Sequence, residues 1–126
     1  MMKDPSNPVC RTISALLQRI GDKWTVLVVA TLAAGPRRFN ELRREIPSVS
    51  QRMLTLTLRN LERDGLVSRK VTPSIPPRVD YALTTLGHSL QQPVTALTEW
   101  ALDNVAAIHR AQAGYDAARD DKAEAA

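Results

Sequence analysis

The spacing of apolar residues changes from helical to strand-like at Asp64-Gly65, and that change limits the folds open to this chain. Before it, apolar residues recur every three or four positions, which is typical of amphipathic helices. After it, short runs around Val67 and Tyr81 alternate apolar and polar residues, which is typical of strands. The run Thr72-Pro73-Ser74-Ile75-Pro76-Pro77 lies between them, and its prolines cannot continue a ladder. The pattern predicts a mainly α fold with one small β-hairpin.

The pattern predicts a first helix that ends at Gly21 and three more helices ahead of the hairpin. The second, Trp24 to Ala34, is apolar on almost all sides, which predicts a buried position. Asn40 is a suitable N-cap for a short third helix that Pro47 ends. A tight turn then leads to a fourth helix, Ser50 to Arg63, so the third and fourth helices have the outline of a helix-turn-helix.

A long helix is predicted after the hairpin. Thr84 is a suitable cap, and apolar residues then recur every three or four positions as far as Ile108. Pro93 lies inside this stretch, where a proline removes a backbone hydrogen bond, so we expect a kink there. The apolar stripe is longer than a small domain easily covers, so either a second subunit or the helix's own domain would bury it.

Length and composition fit one domain, because 126 residues that are 44% apolar suffice for an ordinary core. No apolar run approaches the roughly 18 to 20 residues of a membrane helix, so we expect no membrane contact. The N-terminus lacks the pattern of a signal peptide, and the single cysteine excludes an internal disulfide framework. We therefore expect a cytoplasmic protein.

Positive charge is concentrated in the middle of the chain. The whole chain carries a net charge of +4, but residues 37–78 hold ten Lys or Arg against four Asp or Glu, a balance of +6. Residues 1–36 have a balance of +2, and residues 79–126 one of −4. A basic segment that coincides with a helix-turn-helix and a hairpin favours binding to DNA, and so an association with the nucleoid.

The predicted fourth helix has one apolar face, with Leu54, Leu58 and Leu61, and one face rich in arginine. In the DNA major groove arginine pairs with guanine, glutamine with adenine, and threonine contacts a thymine methyl or a phosphate. A solvated face of a packed helix is the alternative explanation of the arginines. The candidates on this helix are Ser50, Gln51, Arg52, Thr55, Arg59 and Arg63, of which Arg63 is better placed for phosphate than for bases.

Residues around this helix supply further candidates for DNA contact. Those before the third helix can hold one phosphate strand, and those on the hairpin can reach the next groove or its backbone. Arg43 and Arg44 either share this surface or pair with Glu41 or Glu45. The further candidates are Arg37, Arg38, Asn40, Arg69, Lys70 and Arg78.

Six segments carry a family resemblance. They are Cys10; Ile20-Gly21-Asp22-Lys23-Trp24; Gly35-Pro36-Arg37-Arg38-Phe39-Asn40-Glu41-Leu42; Ser50-Gln51-Arg52-Met53-Leu54-Thr55; Leu61-Glu62-Arg63-Asp64-Gly65-Leu66-Val67; and Pro76-Pro77-Arg78-Val79-Asp80-Tyr81-Ala82-Leu83-Thr84. In this order they resemble the HxlR family of bacterial winged-helix transcription regulators. The resemblance implies a winged helix-turn-helix with N- and C-terminal dimerisation helices, in a homodimer that binds an inverted repeat of double-stranded DNA. Some relatives carry polar or basic residues at Leu56 and Thr57, so no base-by-base code can be transferred.

Cys10 is expected just before the first helix, where the helix N-terminus and Arg11 favour the thiolate. In similar proteins a cysteine near this position senses oxidants, quinones or aldehydes, so the resemblance implies a redox or electrophile sensor. A small buried packing residue is the alternative.

Signals of enzymatic chemistry are poor. His88 and His109 lack the spacing of a metal site, and there is no glycine-rich phosphate loop, nucleophile elbow or paired-acid motif. We expect no enzyme, metal or cofactor, but a dimeric repressor switched through Cys10 or by a small-molecule effector. The alternative is a protein-interaction adaptor without sequence-specific DNA binding. The expected regions are a flexible lead (1–9), a winged helix-turn-helix (10–84), a dimerisation helix (85–110) and a helical extension or disordered tail (111–126).

Overall fold

The computed structural model describes the backbone of residues 6–125 and the side chains of residues 6–122. In this part of the chain, four helices precede a two-stranded antiparallel hairpin and two helices follow it, so the predicted mainly α fold with a small hairpin is confirmed. The elements are α1 (Pro8–Ile20), α2 (Lys23–Ala33), α3 (Phe39–Glu45), α4 (Gln51–Arg63), β1 (Val67–Thr72), β2 (Arg78–Leu83), α5 (Thr85–Ser89) and α6 (Gln91–Ala125).

An apolar core holds α2, α3, α4 and the base of the hairpin together. Helix α2 is its central element, as its nearly continuous apolar sequence predicts. Each large apolar side chain that is fully buried there stabilises the fold by roughly 1.5–3 kcal/mol. Because α4 buries its leucine face, its opposite face is fixed outward. The buried members are Val28, Val29, Leu32, Leu42, Ile46, Val49, Leu54, Leu58, Leu61, Leu66, Val67 and Leu83.

Hydrogen bonds at their N-termini position α3 and α4. Ser50 caps α4 as predicted, because its hydroxyl oxygen accepts a 3.0 Å hydrogen bond from the backbone N–H of Met53. The N-cap of α3 is Arg38, so the expectation that Asn40 caps this helix is wrong. The Glu41 carboxylate, three residues after Arg38, accepts a 3.0 Å hydrogen bond from the backbone N–H of Arg38. This bond satisfies a donor at the start of the helix.

The hairpin is anchored at its base and free at its tip. Val67 pairs with Leu83 and both are buried, whereas Thr72 and Arg78 pair at the exposed end. The segment before α3 adds a short bridge, because Arg37 and Tyr81 exchange two backbone hydrogen bonds, of 2.9 and 2.8 Å. This bridge ties the start of the helix-turn-helix to β2.

The long helix predicted after the hairpin is interrupted at Leu90. Thr84 caps the short helix α5, where its hydroxyl oxygen accepts a 3.1 Å hydrogen bond from the N–H of Gly87. Helix α6 begins afresh at Gln91, which puts Pro93 in its first turn. First-turn N–H groups have no acceptor within the helix, so Pro93 breaks no hydrogen bond. The expected kink inside one long helix is therefore wrong.

Helices lie near both ends of the described chain. Helix α1 begins at Pro8, two residues inside the expected flexible lead, because the Asn7 side chain accepts a 2.9 Å hydrogen bond from the N–H of Val9. Residues 1–5 of that lead lie outside the described residues. Helix α6 continues to Ala125. The chain divides into two compact units between Gln91 and Gln92.

Apolar side chains remain exposed along α6. They include Leu97, Trp100, Val105 and Ile108, so the apolar stripe that the sequence predicts is present on this helix. No helix in the described part of the chain is long and apolar enough to cross a membrane.

Candidate nucleic-acid interface

The outward face of α4 forms a shallow open groove lined by Gln51, Arg52, Thr55, Leu56 and Arg59. Both arginines are exposed and lie seven residues, or about 10.5 Å of helix rise, apart. Neither forms an ion pair within 4 Å among the described residues, so their guanidinium groups are free to meet a ligand. Four of the five lining residues are predicted DNA contacts, and the structure brings them together.

Leu56, at one of the two positions where the chain departs from some relatives, completes the lining of this groove. Its side chain is about half exposed, although the groove around it is otherwise polar. The next residue, Thr57, is buried, so the two positions at which the chain departs from some relatives differ in environment. The signal in the sequence was the spacing of Leu56, four residues after Arg52 and three before Arg59.

Ser50 lies at the N-terminus of α4, next to this groove. Its oxygen serves as the cap acceptor, so its O–H remains available as a donor. The first-turn N–H groups of a helix favour an anion at this end. A phosphate at this position would meet both kinds of donor.

The hairpin, or wing, contributes arginines in two different settings. Arg69 lines a second groove, beside Thr55 and Arg59 of α4, and so lies next to the outward face of α4. The Nε of Arg78 donates to both carboxylate oxygens of Asp80, at 3.0 and 3.3 Å. Asp80 offsets part of the charge of Arg78 and stands opposite Lys70 in the strand register. Arg69 is therefore the cation of the wing whose charge is least offset by an acidic side chain.

A third groove, which we call the tip cleft, separates the start of α3 from the end of the wing. Its cations are Arg38, Arg44 and Arg78. Its acid, Glu41, is already bonded to the Arg38 backbone N–H. Arg44 forms no ion pair with Glu41 or Glu45 within 4 Å, so the pairing alternative considered for it is not what the structure shows. The lining residues are Arg38, Phe39, Asn40, Glu41, Arg44, Ser74, Pro76, Pro77, Arg78 and Val79.

Arg37 lies in a different environment from Arg38, although the sequence predicts phosphate contact for both. Its Nε donates to a carboxylate oxygen of Glu45 at 2.8 Å, and its Nη1 donates to the carbonyls of Gly35 and Pro36 at 3.0 Å. Only 22% of the side chain is exposed. The guanidinium is therefore engaged inside the protein, beside the bridge to Tyr81, which suits a residue that positions the wing.

Arg63 lies at the far end of α4. It is exposed and lines a groove with residues of α1, including Arg11 and Arg19. Among the described residues Arg63 forms no ion pair within 4 Å, and the neighbouring Asp64 makes its ion pair with Arg19. Arg63 is therefore not part of the groove on the outward face of α4.

Cys10 lies in the first turn of α1, rather than just before the helix as expected, because the helix already begins at Pro8. Cys10 is buried, with 6% of its surface exposed to solvent. Burial of this kind slows the attack of reagents on a thiol. Among the described residues no group of three or more His, Cys, Asp or Glu could hold a metal ion.

Comparisons with known proteins agree with this geometry. The description of the matching family is HxlR-like helix-turn-helix, and the match covers residues 19–109. An uncharacterized HTH-type transcriptional regulator of Methanothermobacter thermautotrophicus is 48% identical over 89 residues, which is 71% of this chain and 68% of the relative. The uncharacterized HTH-type transcriptional regulator YybR of Bacillus subtilis is 47% identical over 70% of each chain.

This chain is also similar to solved structures of regulators. The redox regulator HypR in its reduced form has a TM-score of 0.71 and 42% identity, over 78% of this chain and 97% of that one. Diamide-treated YodB of B. subtilis has a TM-score of 0.67 and 34% identity, over 77% and 96% of the two chains. With the sequence match, the outward arginine face and the wing in agreement, this chain belongs to the HxlR-like helix-turn-helix family.

Proposed function

We propose that this chain is a sequence-specific DNA-binding transcriptional regulator that acts as a homodimer on an inverted repeat, represses transcription, and works at the nucleoid. The observation that carries this proposal is the outward face of α4, where Gln51, Arg52, Thr55 and Arg59 surround one open groove. Relatives named as HTH-type transcriptional regulators support it. The proposed role is binding and not catalysis.

The chemistry of this face suits the major groove. A groove about 12 Å wide admits one α-helix, and an arginine that bonds both O6 and N7 of guanine discriminates against other bases by roughly 1–3 kcal/mol. Gln51 offers the matching pair of bonds to adenine. Ser50 at the helix start and Arg69 on the wing flank this face and supply phosphate contacts. Arg38, Asn40, Arg44 and Arg78 in the tip cleft hold a further stretch of backbone.

The apolar stripe of α6 supports the proposed dimer. Exposed Leu97, Trp100, Val105 and Ile108 are more than a solvated helix needs, and a partner subunit would cover them. We assign dimer contacts to α1 and to residues 85–110, and DNA binding to residues 10–84. Two copies of α4 would then enter major grooves about 34 Å, or a multiple of that distance, apart.

Selection of bound duplexes from a random DNA pool tests this proposal. The expected result is an inverted repeat bound at least about 10³-fold more tightly than random duplex at moderate salt. Arg52→Ala and Arg59→Ala should each lose most of that preference, whereas Arg119→Ala, with the same charge change on α6, should not. Absence of a preferred sequence in the wild type would refute the proposal. Loss of a protein partner in the α4 variants, without any effect on DNA, would instead indicate an adaptor.

We further propose that modification of Cys10, or a small-molecule effector, releases the DNA. Two similar structures are described in redox terms: HypR is called a redox regulator, and YodB was treated with diamide. The Cys10→Ser variant should bind the selected repeat like the wild type but fail to release it with diamide or a quinone. An unchanged response in that variant would exclude Cys10 and leave a separate effector site.

A further inference from the structure

Ile75, at the end of the wing, is a large apolar residue that packs against nothing in its own domain. Its side chain is fully exposed. The tip that carries it is stiff, because Pro73, Pro76 and Pro77 fix three of its backbone torsions. The Ser74 hydroxyl also donates a 2.8 Å hydrogen bond to the carbonyl of Pro76. The fold therefore holds an isoleucine out in solvent on a rigid support.

The tip cleft shows what lies next to this residue. Ser74, Pro76 and Pro77 form one wall of the cleft, and the arginines at positions 38, 44 and 78 make its lining basic. A basic cleft with one engaged acid suits the phosphate backbone of a nucleic acid strand. Ile75 is not one of the lining residues, so its side chain is free to contact whatever lies beyond that strand.

The length of the wing fits this placement. From the buried Val67 to the tip-side Thr72 the strand rises about 17 Å, at roughly 3.4 Å per residue. That reach is comparable with the width of the major groove, about 12 Å, plus the strand that borders it. With α4 in the major groove and a phosphate strand in the tip cleft, the tip lies over the adjacent minor groove.

We propose that Ile75 is an apolar wedge that enters this minor groove and bends the DNA. The inference rests on the proposed function, because α4 sets the register of the wing on the duplex. Isoleucine is among the side chains that proteins insert between base steps from the minor groove, and partial unstacking kinks the duplex. Pyrimidine–purine steps such as TA and CA unstack most easily, so such a step should lie under the tip in each half-site.

The test uses the full chain and the selected inverted repeat, labelled at its ends with a donor and an acceptor dye. Affinity and end-to-end energy transfer are measured at several salt concentrations. Ile75→Ala should weaken binding about tenfold per tip, through lost apolar contact, and should reduce the bend. It should leave the salt dependence unchanged, because no phosphate contact is lost. Ile75→Met should retain the bend, and Leu27→Ala, at an exposed apolar residue of α2, should change neither quantity.

Three results would overturn the proposal. An Ile75→Ala affinity within twofold of wild type with an unchanged bend would show that the side chain does not touch the duplex. Tighter binding and a steeper salt dependence in Ile75→Lys would place the tip on the phosphate backbone. Loss of dimer in Ile75→Ala would show that a protein surface covers the residue. If the wild type prefers no sequence at all, the proposed function fails, and that result is distinct from these three.

Discussion

Replacing Arg37 by alanine separates a residue that positions the wing from one that binds phosphate. The change removes the ion pair with Glu45 and two hydrogen bonds to backbone carbonyls. A partly exposed ion pair contributes at most about 1 kcal/mol, and a hydrogen bond about 1 kcal/mol. After allowing for solvent at this partly exposed site, we expect the free energy of unfolding to fall by about 2 kcal/mol, which lowers Tm by several degrees.

The DNA-binding assay then compares Arg37→Ala with Arg38→Ala at four or more salt concentrations. Arg38 lines the tip cleft, so under the proposed function its loss removes one phosphate contact from each subunit of the dimer, two in all. The slope of log K against log salt should become shallower by about 1.8. In Arg37→Ala the affinity should fall by a similar factor at every salt concentration, with the slope of the wild type, because the wing is displaced while the phosphate ligands remain.

A slope in Arg37→Ala that becomes as shallow as in Arg38→Ala would refute this reasoning. Glu45→Gln gives a second criterion. If Arg37 bound phosphate, releasing it from Glu45 would strengthen DNA binding. If it positions the wing, Glu45→Gln should weaken binding and lower Tm, in the same direction as Arg37→Ala but by less.

Three further predictions follow from single contacts. Leu56→Ala should lose affinity for the repeat, because Leu56 contacts a thymine methyl group. Replacing that thymine by uracil should therefore weaken binding of the wild type more than binding of the variant. An equal loss of affinity in both proteins would contradict this. Gly87→Ala should lower the urea-measured free energy of unfolding by about 3 kcal/mol, because a Cβ would lie 2.1 Å from a backbone oxygen; a neutral effect would contradict it. Asn7→Ala should speed labelling of Cys10 by a thiol reagent about fivefold, through a lost helix cap of about 1 kcal/mol, whereas Asp22→Ala, which uncaps α2, should not.

Local periodicity explains why so much of the fold could be predicted. The leucine face of α4 and the positions of β1 and β2 follow from spacings of a few residues, and Ser50 caps α4 where its position indicated. The basic outward face of α4 follows directly, because burying Leu54, Leu58 and Leu61 leaves Arg52 and Arg59 outside.

The predictions that failed concern contacts between residues, and the spacing of residues in the sequence does not determine which of these contacts form. Asn40 is the better cap by residue type, yet Glu41 reaches back to Arg38 and starts α3 earlier. Pro93 lies inside an apolar stripe that looks continuous, but the chain breaks at Leu90 and places the proline in a first turn. The ion pair of Arg37 joins residues eight positions apart across a loop, which no helical period indicates.

The central claim is that α4 reads bases in the major groove with the residues of its outward groove. A double-mutant cycle on the selected repeat tests it most directly, with 7-deazaguanine replacing each guanine in turn so that the N7 acceptor is lost. We expect one substituted position to weaken wild-type binding by about 1 kcal/mol or more and to cost Arg52→Ala nothing further. A second position should behave in the same way toward Arg59→Ala. If every substitution weakens the variants as much as the wild type, these arginines do not read guanine and the account is wrong.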